Sequence, residues 1–419
     1  MKKAILLGHQ GYGGVTRNAK EIRECGFEPF IITSKPIYPV EKFTEAMNSL
    51  GLSFRIVEQL TLTLDETINI LPEPIENYVF CLSVWEGQRL LVSQINEILG
   101  AKDISPALVS LIQNKYRLRN KLYELGLTKY RAFSYHDLLL EPSISDEVPL
   151  FVKPVNSTGS LCSKRVEGKS AVLSLMKDAI TFHDDFFFSE FYQDIELFAE
   201  PYICGKEFSF ELVVDNGEVK FCTAHEKLRV DELENTVLEV SFCSPPITID
   251  PSILRLGEEK VAIYFSALGI SDGCYHVELR YNDIDKWELI EINPRTGGAL
   301  VYDSVIERHG VKMVSQWILS LTRQTLTVSD KEYNKGTYFQ IAYANAGEQI
   351  LNIEINNRYL EPDISQKILN VGDVTPISDR EVFGAFNMWL TCIDKHVEQV
   401  ADMDSALYMS YISRDISSS

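Results

Sequence analysis

Several common signatures are missing from this chain, and each absence narrows what it can be. No apolar run reaches the roughly 18 residues of a membrane span. The start, Met1-Lys-Lys-Ala-Ile-Leu-Leu-Gly-His9, turns polar too soon for a signal peptide. Its eight cysteines (Cys25, Cys81, Cys162, Cys204, Cys222, Cys243, Cys274 and Cys392) contain no C-x-x-C pair. Most lie in apolar stretches, so buried thiols are expected rather than a zinc site or a disulfide framework. Basic residues are scarce: 40 Lys and Arg face 60 Asp and Glu, a net charge of −20. Nucleic acid and anionic membrane, both polyanions, are therefore not expected as main partners. A Walker A sequence is absent. The glycine loop Gly8-His-Gln-Gly11-Tyr-Gly13-Gly14 breaks G-x-G-x-x-G because Thr16 stands at the last position. No repeats appear, and the only biased segment is the terminal serines. What remains is expected to be a soluble, cytoplasmic protein of 419 residues, 45% hydrophobic, with two or three domains.

What is present centres on Tyr275–Gly298. Apolar and polar residues alternate on both sides of the polar tip Asp283-Ile284-Asp285-Lys286, which predicts two strands closed by a turn. Pairing symmetric about the Ile284–Asp285 bond puts Glu278 opposite Glu291 and His276 opposite Asn293, all on one face. Val277, Leu279, Ile290 and Ile292 then point to a core. Facing carboxylates repel and need a cation or a shared proton. Two carboxylates and an amide oxygen are hard ligands that suit Mg²⁺ or Mn²⁺ better than zinc. Arg295, two residues on, is placed to hold an anion. The plainer alternative is an amphipathic hairpin with solvated glutamates.

The rest of the chain supplies context. Strand candidates at 3–7 and 29–33 flank a helix over 15–25, a βαβ opening. A second unit ends in the strand Tyr78–Val84, after which Glu86 lies at a strand's carboxyl end, where open α/β sheets bind ligands, or else caps a helix. A helix over Pro106–Leu125 carries Lys115, Arg117, Arg119 and Lys121. A Pro/Ser/Asp/Glu-rich stretch near residue 145 marks a boundary. Lys153 then ends a strand before Asn156-Ser157-Thr158-Gly159-Ser160, a point charge beside a small hydroxyl-rich loop of the kind phosphate binding requires. Further on come a helix over 170–181, a strand Phe186–Tyr192, Glu200-Pro-Tyr202-Ile203-Cys-Gly205-Lys-Glu207, and a hairpin turning at Asp215-Asn216-Gly217. A helix is expected over Tyr302–Thr322, and the last ninety or so residues read as strands and a closing helix.

Lys115, V-K153-P with its N-S-T-G-S loop, E-P-Y-I-C-G-K-E, and H-V-E with L-I-E-I-N-P-R, in that order, resemble the ATP-grasp superfamily over about residues 1 to 325. Glu278 precedes Glu291 by thirteen residues and Glu200 precedes Glu207 by seven, as in that family's motifs. The resemblance implies an α/β (α+β) fold with an N-terminal doubly wound βαβ domain (1–105), a linker helix and lid (106–205), a core with the metal site (206–325) and a C-terminal extension with antiparallel strands (326–419). It implies that Lys115, Lys153 and the loop Ser157, Gly159 and Ser160 hold the ATP phosphates. Glu200 would meet the adenine amino group, the backbone at Tyr202 and Ile203 would line the purine, and Glu207 would bind the ribose. Glu278, Glu291 and Asn293 would bind Mg²⁺, with Mn²⁺ as a substitute. Arg295 would contact the transferred phosphoryl group or a substrate carboxylate.

The P-R-T-G-G ending, the histidine two before Glu278 and the C-terminal region are most similar to carboxylate-amine ligases of the bacterial L-amino-acid ligase type, which make dipeptides. The expected partners are therefore ATP and two amino acids, with a homodimer left open. Glu86 is the candidate for a substrate amino group, and His276 or His225 for orienting a substrate or taking the amine's proton. A bicarbonate-using carboxylase, a non-catalytic ATP-binding regulator and, disfavoured by the broken glycine motif, an NAD-binding protein built on the N-terminal βαβ unit are the rival readings.

Overall fold

The computed structural model describes residues 2–9, 13–35, 40–59, 61–156, 159–160, 162–177, 196–233, 236–328, 334–356, 361–377, 381–406 and 409–416. The strand expected at Phe186–Tyr192, residues 10–12 of the glycine loop and Ser157 lie outside the described residues.

The N-terminal unit runs β1 (Lys2–Gly8), α1 (Gly13–Glu24), β2 (Phe27–Ser34), α2 (Val40–Ser49), β3 (Ser53–Val57), α3 (Leu64–Ile70), β4 (Tyr78–Leu82) and α4 (Arg89–Leu99). Its four strands are parallel, in the order β3-β2-β1-β4. Alternate residues of β1 serve two cores, as the period of two dictates. Ala4 and Leu6 pack with Val15, Ala19 and Ile22 of α1, whereas Ile5 and Leu7 pack with Leu91, Val92 and Ile95 of α4. A strand covered on both faces needs a continuous apolar run, which Ala4-Ile-Leu-Leu7 supplies.

The helix expected over Pro106–Leu125 is two, α5 (Pro106–Gln113) and α6 (Lys115–Glu124). Asn114 leaves the helical region (φ −85, ψ 95) and its side chain accepts from the Arg117 N–H, so it caps a new helix. After α7 (Tyr135–Leu140), a unit with a three-stranded sheet follows: β5 (Pro149–Pro154), β6 (Lys164–Glu167), α8 (Lys169–Lys177) and β7 (Leu197–Pro201), the strands ordered β6-β5-β7.

The largest sheet takes β8 (Lys206–Asp215), β9 (Glu218–Glu232), β10 (Val237–Ser244), β11 (Gly273–Asn282) and β12 (Lys286–Asn293), with α9 (Pro251–Leu268) between β10 and β11. Then come α10 (Val301–His309), α11 (Met313–Leu321), β13 (Lys335–Ala344), β14 (Glu348–Ile355), β15 (Ile364–Lys367), β16 (Val382–Cys392), α12 (His396–Asp404) and β17 (Met409–Asp415). Helices α10 and α11 replace the single one expected over Tyr302–Thr322, because Gly310 (φ 66) ends the first in a left-handed cap. The sheet order is β12-β11-β8-β9-β10-β13-β16-β15, so three C-terminal strands extend the sheet that carries the central hairpin; β14 and β17 pair separately.

Parity on this sheet separates packing from chemistry. Phe208, Phe210 and Leu212, with Tyr275, Val277 and Leu279, face α9 and its Val261, Tyr264 and Phe265. The alternate residues Glu207, Ser209, Glu211, His276, Glu278 and Arg280 take the other face. In the hairpin, His276 pairs with Asn293 and Glu278 with Glu291 as the sequence predicts, but the turn centres on Ile284, the pairing beside it is off by one, and a β-bulge after Glu278 restores the register. Leu289 consequently enters the core in place of Ile290, which stays half-buried. The cysteines carry no disulfide among the described residues. The expectation of buried thiols fails for Cys204 and Cys392, which are exposed. No helix among the described residues is long and apolar enough to cross a membrane.

Candidate active site

Across the polar face, charges alternate in sign. Lys227, on β9, is fully buried and its Nζ lies 2.5 Å from Glu207, 2.5 Å from Glu239 and 2.9 Å from Glu278. Burial alone would lower its pKa, but the three carboxylates hold it well above the usual lysine value. Arg280 binds the other side of Glu207 at 2.7 Å. Burial would raise the Glu207 pKa, yet Lys227 and Arg280 bring it to about 2. One hairpin position away, Lys115 stands 3.4 Å from Glu291. Burial again works upward there, and Lys115 with the Asn293 hydrogen bond lowers Glu291 to about 2.

The expected metal ligands are thus brought together. Glu278 and Glu291 face each other across two strands, and the Asn293 amide donates to Glu291 at 2.8 Å, leaving its carbonyl oxygen for another partner. Two carboxylates and an amide oxygen fit a hard divalent cation.

The ATP-binding candidates on the three-stranded sheet are held by ion pairs and backbone hydrogen bonds. Lys153 Nζ pairs with Glu200 at 2.8 Å, and Arg119 Nε binds the second Glu200 oxygen at 2.6 Å, all three buried. Both Glu200 oxygens therefore face cations. The Tyr202 N–H donates to the Pro149 carbonyl at 2.9 Å, and the Ile203 carbonyl accepts from Arg280 at 2.9 Å, so these backbone groups already have partners. In the phosphate-loop candidate, Gly159 (φ 65), Ser160 (φ 56) and Cys162 (φ 52) are left-handed, which curls the segment, and Ser163 N–H closes on the Ser160 carbonyl.

Neither histidine is set up as a base. His276 Nδ1 lies 2.6 Å from Glu211 and Nε2 lies 3.0 Å from Glu278. Burial would lower its pKa, but the two carboxylates raise it to about 10, so it is a cation donating twice. His225 is fully buried, bonds Ser304 through Nε2 at 2.8 Å, and is held near a pKa of 4 by burial. His276 instead orients Glu278. Glu211 extends the chain to the loop after Arg295, accepting from the Gly297 N–H at 3.3 Å.

The substrate candidates Glu86 and Arg295 meet directly, Arg295 Nη2 to Glu86 Oε2 at 3.1 Å, joining the N-terminal unit to the hairpin's end. Lys227, Glu239, Glu211 and Arg280 were not singled out from sequence. The signal existed in Ala-His-Glu-Lys, but Lys227 reaches Glu207 only because β8 and β9 slip register between Val213 and Val214.

The class of domain follows: residues 146–303 match the ATP-grasp domain, and the chain carries an ATP-grasp domain with that fold. Among solved structures it is similar to the L-amino acid ligase from Bacillus licheniformis (TM-score 0.71, 16% identity, 99% of each chain covered). It is also similar to phosphoribosylglycinamide synthetase from Anaerococcus prevotii (TM-score 0.66, 14% identity, 98% of this chain and 100% of that one). A third is the biotin carboxylase domain of 2-oxoglutarate carboxylase from Hydrogenobacter thermophilus, solved with MgADP, ADP and bicarbonate (TM-score 0.68, 13% identity, 99% of this chain and 90% of that one). No curated protein matches the sequence. At these identities the likeness is one of fold.

Proposed function

We propose that this protein is an ATP-dependent carboxylate-amine ligase that joins two L-amino acids through an acyl phosphate, releasing ADP and phosphate. The Arg295–Glu86 pair carries the reading. A guanidinium and a carboxylate held side by side are complementary to the carboxylate and ammonium of an amino acid, and they stand at the end of the strand that bears Glu291 and Asn293. The presence of an amino-acid ligase among the similar structures supports the same class.

In this reading a carboxylate oxygen attacks the γ-phosphorus of ATP and the bond to ADP breaks. The amine of the second amino acid then attacks the acyl carbon, phosphate leaves, and the amine gives up a proton. An acyl phosphate is needed because a carboxylate at neutral pH is a poor electrophile. Lys115 and Lys153 would hold the phosphates, and Arg295 would meet the carboxylate and the charge that develops on it. Glu278, Glu291 and Asn293 would hold Mg²⁺ or Mn²⁺, whose charge would help neutralise the phosphates. With His276 and His225 engaged as described, the protein's work is positioning and charge neutralisation.

Incubation with ATP, Mg²⁺ and mixtures of the twenty amino acids should give a dipeptide by mass spectrometry and an equal amount of ADP. AMP and pyrophosphate would refute the acyl-phosphate route. ADP release driven by bicarbonate alone would replace the ligase with a carboxylase.

A further inference from the structure

Arg89 is among the most deeply buried cations of the chain, 1% exposed, and the chemistry above does not use it. Its guanidinium is filled on three sides. Two nitrogens grip Asp103, at 2.9 and 2.5 Å, and Nε donates to the Pro294 carbonyl at 3.0 Å. Its central carbon lies 5.2 Å from the Trp317 ring. Asp103 is itself fixed by the Asn96 amide at 2.8 Å and the Ile104 N–H at 2.9 Å, and Asn96 is tied to both backbone groups of Cys81 on β4. The guanidinium is therefore locked to the N-terminal sheet, not free to follow the hairpin.

Pro294 stands between Asn293 and Arg295. Proline has no N–H, so the carbonyl is its only backbone hydrogen-bonding group. The turn is tight, with the Arg295 N–H on the Asn293 carbonyl at 2.8 Å. Residues three apart in a helical turn share a face, and Glu86 and Arg89 are such a pair: Glu86 takes the Arg295 side chain and Arg89 the backbone one residue earlier.

We propose that Arg89 is a positioning residue of the proposed ligase site, setting the Asn293–Arg295 turn from the N-terminal unit so that the Asn293 amide and the Arg295 guanidinium stand in working register. The inference rests on the ligase reading for its effect on turnover, but not for its effect on geometry. Arg89→Lys keeps a charge against Asp103 and loses the planar fork that serves Asp103 and Pro294 at once. It should lower kcat for ADP release at least tenfold while changing the dissociation constant of ATP, by calorimetry, less than twofold. An Arg89→Met/Asp103→Leu pair, which leaves no buried charge behind, should show the same split. Crystals of Arg89→Lys should show the Arg295–Glu86 contact opened. Unchanged kcat, or equal losses of kcat and ATP affinity in both variants, would overturn the proposal. So would an Arg295 guanidinium that has not moved, and that test holds whatever reaction the protein catalyses. If ADP is released without a dipeptide, the ligase reading fails and the Arg89 comparison still stands on ADP release.

Discussion

Glu200→Gln is the substitution that best separates the role of this residue expected from its motif from the one its contacts indicate. Glu200 has Lys153 on one oxygen at 2.8 Å and Arg119 on the other at 2.6 Å, with all three side chains buried. At an effective dielectric of about 20, each contact is worth roughly 6 kcal/mol before desolvation. Burial of the charges cancels most of that, and removing one member of such a cluster costs about 3–5 kcal/mol, because uncompensated charges stay behind. Glutamine preserves shape, so the loss should appear as stability in urea unfolding and not as a cavity. The pH dependence fixes its origin. Burial would raise the Glu200 carboxyl, but Arg119 and Lys153 hold it below the usual range. A group whose pKa is depressed by folding stabilises above its unfolded value and loses that contribution as the pH falls through the folded one. The gap between wild type and Glu200→Gln should therefore be level from about pH 8 to about pH 5 and narrow only below the unfolded value of about 4.3. The preference for ATP over GTP should not change, because both carboxylate oxygens are held by Arg119 and Lys153. A variant within about 1 kcal/mol of wild type at neutral pH, or one with altered purine preference, would refute the reasoning.

Four further outcomes are expected. Glu278→Gln and Glu291→Gln should each cut turnover at least a hundredfold, about 2.7 kcal/mol of barrier, measured as ADP release at saturating ATP. Lys153→Ala should weaken ATP binding in calorimetry; an unchanged dissociation constant would move the phosphate site elsewhere. Lys227→Met should lose about 3–5 kcal/mol of stability in urea, because three carboxylates lose their shared cation. Gly205→Ala should destabilise by more than about 1 kcal/mol: its φ is +132° and an added Cβ would stand 2.3 Å from the Tyr281 carbonyl oxygen, a clash that thermal melting should register.

The hairpin was legible because a period of two assigns faces without any tertiary knowledge, and its ionisable residues were the ones that broke an apolar pattern. Even so, the register at Glu278 and Glu291 came out right through two offsetting features, a turn centred on Ile284 that sets the pairing off by one and a bulge at Ile290. Parallel strands such as β1 could be read from their unbroken apolar runs. Long helices were over-read because helical periodicity continues through Asn114 and Gly310, where capping chemistry, not hydrophobicity, decides the break. The Lys227 cluster was hidden for another reason. Its members come from β8, β9, β10 and β11, and the slip after Val213 moves every β8–β9 neighbour by one, while β9 and β10 shift and return around Ser241. The commitment of Glu200 to Arg119 was equally out of reach, since the two residues lie 81 positions apart and meet only where β7 packs near α6.

The continuity of the large sheet bears on how the protein can be divided. β10 is paired on one side with β9 and on the other with β13, where Ser241–Ser244 meet Thr337–Gln340 and the Phe242 ring stacks on Phe339 at 4.6 Å. A chain ending near residue 325 would keep every residue assigned to ATP chemistry and still strip the far side of β10, baring a row of backbone donors and acceptors beside an uncovered phenyl ring. Naked strand edges of that kind recruit strands from other molecules, so the shortened protein is expected to form aggregates in which the vacant place is taken by a neighbour's chain.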